Sequence, residues 1–323
     1  RLYDKGFTYI FLDEIQNCKA FEKAINSLFL KENIDIYITG SNAYMLSGEL
    51  GTLLSGRYVT IDMLPLSFKE YYESNSKGDG NEGKLFSKYI RIGAFPYLAT
   101  IETAEQIADT YIEGIYNTIL VKDVAQREGI TDVSLLESVV KVMASSIGSP
   151  ISTKKISDTI NSTGRKTSVN TVENYVKALC DAYIFYKVDR FDIKGRQHLK
   201  TLGKYYIVDL GIRNFLLSSG SSDIGHIIEN IAYFELFRRG YRVNVGKFDD
   251  KEVDFVAKNS EGREYYQISA SVLNDETLKR ELLPLTSISD HYPKFLLTLD
   301  EVPKGANFNG IRHLNLIDWL LDK

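Results

Sequence analysis

The sequence predicts an α/β protein: a parallel-sheet core, a helical segment, a helix–turn–helix–hairpin unit and a second α/β domain. Three observations predict it. Tyr9 to Leu12 is a short apolar run of the kind buried on both faces of a parallel sheet, and it ends in two carboxylates, Asp13 and Glu14. Ile34 to Thr39 is a second run, followed by Gly40-Ser41-Asn42. Between them Phe21, Ala24, Ile25 and Leu28 fall at the spacing of a crossover helix within Cys18 to Leu30. Together these make one βαβ unit with polar groups at both strand ends.

Ligands of open α/β sheets bind beyond the carboxyl ends of the strands. Carboxylates there suit a hydrated Mg²⁺, a hard cation that prefers oxygen ligands. One carboxylate can hold the ion through water while the next orients or deprotonates an attacking water. A small polar group on the neighbouring strand reaches a γ-phosphate or that water. The plainer alternative is a strand that ends in a solvated turn.

Further motifs carry a family resemblance. Phe-Leu-Asp-Glu-Ile-Gln (11–16), Ile-Thr-Gly-Ser-Asn-Ala (38–43), Leu-Ser-Gly-Arg (54–57), Leu-Pro-Leu-Ser-Phe-Lys-Glu-Tyr (64–71) and Gly-Ala-Phe-Pro (93–96) resemble the AAA+ branch of P-loop ATPases. The nearer likeness is to a bacterial and archaeal group whose ATPase core precedes a conserved domain of unknown function with a nuclease-like fold. The resemblance implies that Asp13 and Glu14 are the Walker B pair, Asp13 holding Mg²⁺ and Glu14 preparing water. It places Asn42, with Ser41, at the sensor position and Arg57 at an arginine-finger-like position, where a guanidinium neutralises charge on the transferring phosphoryl group. A surface salt bridge is the alternative for Arg57.

One departure is large. A phosphate-binding loop reads G-x-x-x-x-G-K-[ST]. Gly83-Lys84, Gly203-Lys204 and Gly246-Lys247 are not followed by Ser or Thr, and Gly164-Arg165-Lys166-Thr167 has an inserted Arg. The chain also reaches Asp13 almost at once. The expectation is therefore a core truncated before Walker B, with the first strand, the loop and the first helix upstream. As it stands, the chain is expected to bind ATP weakly or not at all, because a backbone cradle contributes much of phosphate affinity.

Length and composition bound the rest. The 323 residues suffice for two to three domains, and 44% hydrophobic with 25% charged residues is ordinary for a globular protein. No apolar run approaches the roughly 18 residues of a membrane span. Cys18 and Cys180 lie far apart, which fits a reducing cytoplasm and no disulfide framework. A net charge of −4 excludes a basic nucleic-acid binder as a description of the whole chain. His198, His226, His291 and His313 show no metal spacing.

In chain order, Val59 to Leu64 reads as a third strand, and Pro65 to Tyr72 as the start of a helix with Ser67 as a candidate cap. Residues 74–83 form a polar, turn-rich loop. Residues 84–147 read as a helical lid, with one long helix from Ala104 to Glu128 and another from Ser134 to Ser146. Asp123 and Arg127 stand four apart, able to pair across a turn. A helix opened by Ile151-Ser152 and running through Ile160, a turn at Asn161 to Gly164, a helix from Ser168 to Ala182 and a hairpin from Ile184 to Val208 form the pattern of a winged helix. Residues 151–204 hold 11 Lys/Arg against 5 Asp/Glu. That asymmetry points to nucleic-acid contact through Arg165, Lys166, Lys194, Arg196 and Lys200. Packing or protein contact is the alternative.

A second constellation follows in residues 216–323. A helix from Ile224 to Arg239 carries Glu229, and strands follow at Tyr241 to Val245, Glu252 to Val256, Tyr265 to Ser269 and Lys294 to Leu299. This stretch resembles the PD-(D/E)XK nuclease fold. The resemblance maps Glu229 and Asp254 to its acidic positions, with Gln267 and Ser269 where the second acid and the Lys belong. Without that acid and that cation, the domain is expected to be nuclease-like and inactive.

The expected divisions are therefore an ATPase core at 1–83, a lid at 84–149, a winged helix at 150–215 and a nuclease-like domain at 216–323. The expected activity is Mg²⁺-dependent ATP hydrolysis by the intact cytoplasmic protein, coupled to a grip on DNA or a protein partner, with homo-oligomers and no membrane. The alternatives are a metal-dependent nuclease using Glu229, Asp254 and Gln267, and a non-enzymatic DNA-binding or toxin–antitoxin-like adaptor.

Overall fold

The computed structural model describes residues 6–15, 18, 20–41, 56–76, 81–101, 103–195, 197–217 and 223–323. Strands β1 (Thr8–Leu12) and β2 (Ile34–Ile38) pair in parallel, Leu12 opposite Ile38. Helix α1 (Phe21–Phe29) joins them and packs Phe21 and Ile25 on Leu12, Ile15, Ile36 and Ile38. The expectation that β1 is buried on both faces is corrected. Tyr9 is 59% and Phe11 73% exposed, because among the described residues α1 covers one face only. The expected third strand, Val59 to Leu64, is corrected as well: these residues form no strand and join no described ladder.

Helices follow. Ser67 caps α2 (Phe68–Asn75) by accepting from the Glu70 N–H, while Glu70 accepts from the Ser67 N–H, a reciprocal capping box. After it come α3 (Glu82–Ile92), α4 (Pro96–Thr100) and α5 (Ala104–Asn117). The long helix expected to reach Glu128 instead changes to a π-helical stretch at Thr118–Gln126. Arg127 pairs with its neighbour Glu128; the Asp123 side chain lies outside the described set. Next are α6 (Val133–Ser145), α7 (Thr153–Ser162) and α8 (Val169–Asp181), each capped by the polar residue just before it.

The hairpin β3 (Phe185–Asp192) and β4 (Gln197–Ile207) does not stand apart as a wing. It opens an eight-stranded mixed sheet, in the order β4-β3-β5-β6-β7-β8-β10-β9. The other strands are β5 (Arg242–Phe248), β6 (Lys251–Lys258), β7 (Arg263–Ser269), β8 (Lys294–Thr298), β9 (Asn307–Phe308) and β10 (Ile311–Asn315). The end of β3 pairs in parallel with β5, Phe191 opposite Gly246. The outer edge of β4 is covered by the loop after α6, through Gly148 N–H to Tyr205 O and Ile151 N–H to Gly203 O. Helices α9 (Leu210–Leu217), α10 (Ile224–Arg238), α11 (Asp275–Ser287) and α12 (Leu316–Leu320) complete the chain. One apolar cluster runs from Phe68 to Leu321, and a second lies under α11 on Val253, Tyr265 and Leu296. Sheet and core are thus continuous across residues 149 and 215.

Candidate functional site

Two polar clusters stand out, one at the tip of β1 and β2 and one between β4, β6 and α10. At the first, parallel pairing brings the two strand ends level. The Thr39 hydroxyl donates to Asp13 Oδ1 at 2.5 Å and accepts from the Glu14 N–H at 3.1 Å. The Ile15 N–H reaches Thr39 O, and Ser41 Oγ donates to Glu14 Oε2 at 3.2 Å. Glu14 adopts a left-handed backbone with φ of 49°, a conformation that costs a non-glycine residue strain and is often found at functional sites. Asp13, Glu14, Thr39 and Ser41 therefore form one oxygen-rich group beyond the carboxyl ends of two parallel strands. In the sequence Thr39 reads as the last residue of a strand; its position before Gly40-Ser41 is the signal that it belongs to the group.

Asn42 lies outside the described residues. Arg57 is not brought to this group: its guanidinium lies 5.9 Å from the Phe29 ring, at the far end of α1, beside the start of β2. The donor set fits Mg²⁺, since carboxylates and hydroxyls are the ligands of a hard cation. It does not supply a phosphate cradle, as no G-x-x-x-x-G-K-[ST] occurs in the chain.

The second cluster is built by alternation along β4, which turns Lys204 and Tyr206 to one face. Both donate to Glu229 Oε1 of α10, at 2.8 and 2.6 Å. Lys204 Nζ also lies 3.0 Å from Glu252 and 3.8 Å from Asp254, both on β6. Asp254 Oδ2 accepts from the Ile268 N–H at 2.8 Å. Lys204 is 3% and Glu229 6% exposed. Burial opposes the charge on Lys204, but Glu229, Asp254 and Glu252 outweigh it and hold the ammonium above the usual lysine range. Burial, and then the charge of Glu229, push the Asp254 carboxyl well above the carboxylate range. Next to Glu229, Asn230 clamps β4 by accepting from the Ile207 N–H and donating to Ile207 O.

Glu229 and Asp254 are thus in one cluster. Gln267 touches it through an amide oxygen facing the Asp254 N–H at 3.4 Å, while its amide nitrogen donates to Glu281 of α11. Ser269 bonds Ser271 O. The ammonium in this cluster is that of Lys204, from a different strand, which no local motif spacing reveals. Of the expected DNA contacts, Arg165 pairs with Asp132 and Lys194 with Asp249, and Lys166 is exposed. Arg196 and the Lys200 side chain lie outside the described set.

A family model described as an AAA domain matches residues 1–72, and one described as a domain of unknown function (DUF8612) matches residues 83–223. The chain thus carries an AAA-type ATPase-like domain followed by a domain of unknown function. An uncharacterized protein of Haemophilus influenzae is 38% identical over 315 residues, covering 97% of this chain and 77% of that protein. An uncharacterized protein of Methanocaldococcus jannaschii is 30% identical over 296 residues, covering 86% of this chain and 64% of that protein. The chain belongs to the same family as the Haemophilus protein. Among the described residues no helix is long and apolar enough to cross a membrane.

Proposed function

We propose that the intact protein hydrolyses ATP with Mg²⁺, and that its C-terminal region passes the resulting change to DNA or a protein partner. The observation that carries this reading is the Asp13–Glu14 pair at the end of a parallel strand, bonded to Thr39 and Ser41 of the next strand, within the region matched by the AAA domain. When bound, Mg²⁺ neutralises phosphate charge and templates the phosphates. Asp13 would hold it, with the Thr39 hydroxyl fixing the carboxylate. Glu14 accepts a proton from a water beside its carboxylate, and Ser41 orients that carboxylate. Asn42 would contact the phosphate or the water, and Arg57, remote from Asp13 in its own chain, would act on a neighbouring copy.

The test requires residues 1–323 behind a segment bearing a phosphate-binding loop. There, Asp13→Ala is expected to abolish the Mg²⁺-dependent part of ATP binding, read with a fluorescent nucleotide, while the metal-independent part survives. Equal Mg²⁺ dependence in wild type and variant refutes the role of Asp13.

The nuclease reading gains one observation, the Lys204 ammonium beside Asp254. It is opposed by the burial of Glu229, which is 6% exposed and already bonded to Lys204 and Tyr206. Plasmid cleavage that needs Mn²⁺ and is lost in Asp254→Ala would restore it.

A further inference from the structure

Three carboxylates around one ammonium is an arrangement with a specific physical consequence. Lys204 Nζ sits 2.8, 3.0 and 3.8 Å from Glu229, Glu252 and Asp254. An ammonium has three protons and no acceptor, so it can serve as the shared cation of such a group. A Mg²⁺ or Mn²⁺ ion needs carboxylate oxygens at about 2.0–2.2 Å and free space for water. It cannot enter while Nζ occupies the middle. Consistent with this, the described acidic, histidine and cysteine side chains form no group of three or more poised around a metal.

The surroundings hold the lysine in place. Chain register shifts between Val188 and Arg190 of β3, where β4 loops out between Leu199 and Lys204. Gly203 lies so close to β3 that a side chain there would meet Val188 O at 2.8 Å. This close approach brings Lys204 inward. Gly148 packs against the Glu229 side of the cluster, where a Cβ would meet Glu229 Oε2 at 3.2 Å and His226 at 2.9 Å. Tyr206 adds a second donor to Glu229, and Arg190 stands 3.8 Å from Glu252.

We propose that Lys204 is a built-in cation that replaces a divalent metal in this carboxylate cluster, tethers β4 to α10 and β6, and keeps the site closed to metal ions. The inference is independent of the ATPase reading, whose groups lie at the other end of the sequence. Lys204 belongs to the stretch matched by the domain of unknown function, whereas its three partners lie beyond it. The tether thus joins that stretch to the C-terminal sheet. Removing the ammonium leaves three carboxylates facing a vacated space that a hard cation can fill.

The experiment is Mn²⁺ binding, followed by the electron paramagnetic resonance signal of free Mn²⁺ and by thermal melting. Wild type is expected to bind no Mn²⁺ at this cluster at about 1 mM metal and to melt at the same temperature with or without it. Lys204→Met is expected to melt lower, to gain one Mn²⁺ at least about tenfold tighter than any wild-type site, and to recover melting temperature with the metal. The double variant Lys204→Met/Asp254→Asn is expected to lose that ion. Lys204→Arg keeps a cation and is expected to fold and remain indifferent to Mn²⁺. A wild-type Mn²⁺ ion that Asp254→Asn abolishes overturns the proposal. So does a folded Lys204→Met that binds no Mn²⁺, or an unfolded one that Mn²⁺ does not recover while Lys204→Arg folds.

Discussion

Asp209 shows how one residue ties distant chain segments together. It precedes α9, is 2% exposed, and accepts from the backbone N–H groups of Ala94 at 2.6 Å and Ile212 at 3.1 Å. Gly93, with φ of 81°, lies against it, and a Cβ there would overlap the carboxylate. Glycine at 93 is needed both for the backbone and for the close approach. Burial raises the Asp209 carboxyl to about 6, against the lowering effect of its backbone donors. A carboxyl whose folded value is raised stabilises the protein below its unfolded value near 4, and that stability is lost as pH rises through about 6. The loss from this group is of order 3 kcal/mol for a shift of about two units. Urea unfolding at stepped pH should show the decline in wild type and a flatter profile in Asp209→Asn. Identical profiles would mean that Asp209 is ionised throughout.

At the scale of elements, caps and clamps decide boundaries. Ser67→Ala removes one half of the capping box of α2 and is expected to cost about 1 kcal/mol in chemical denaturation. No change would mean that α2 is held by packing of Phe68 and Tyr71 alone. This level was the most legible in the sequence. Ser67, Ser152 and Ser168 announced helices that begin one residue later, and the Phe21/Ile25/Leu28 spacing announced α1. The strands β5 to β8 were readable from β-branched and aromatic runs. The hidden elements have physical reasons. Val59 to Leu64 has a strand's composition, but a ladder needs a partner that composition does not name. Helix α11 carries Pro284 inside it, a residue that argues against a helix interior. The Asp13–Glu14 tip was legible because its residues are contiguous, whereas Lys204, Glu229, Glu252 and Asp254 converge only through sheet order.

Across the whole molecule, the last residues of the chain close onto the helix at the end of the ATPase-like region and the one after it. Asp322 pairs with Lys69 of α2 at 3.0 Å and with Arg239 at 2.9 Å, and Lys323 pairs with Glu82 of α3. Surface pairs of this kind contribute little each. The apolar contacts weigh more: Trp319 stands 5.8 Å from Tyr266 and under the Arg239 guanidinium, centroid distance 4.3 Å. Trp319→Ala is expected to cost about 3–5 kcal/mol by cavity formation. Because the cluster from Phe68 to Leu321 is shared, hydrogen exchange should quicken in α2 and α3 as well as in β7. Loss confined to the last helix would mean that these segments are separate units. The basic surplus of residues 151–204 also changes meaning at this scale. Lys204 is internal, and Arg165, Lys187, Arg190 and Lys194 each lie within 4 Å of a carboxylate. Five of the eleven basic residues that suggested a nucleic-acid surface are thus paired with carboxylates, Lys204 inside the fold and the others at its surface.

The most direct measurement of the central claim is ATP turnover by wild type and Glu14→Gln, each carried behind a phosphate-binding loop, with nucleotide affinity measured in parallel. A Glu14 that prepares the attacking water predicts turnover lowered by about 10²-fold or more with affinity retained. Equal turnover in the two proteins would contradict it.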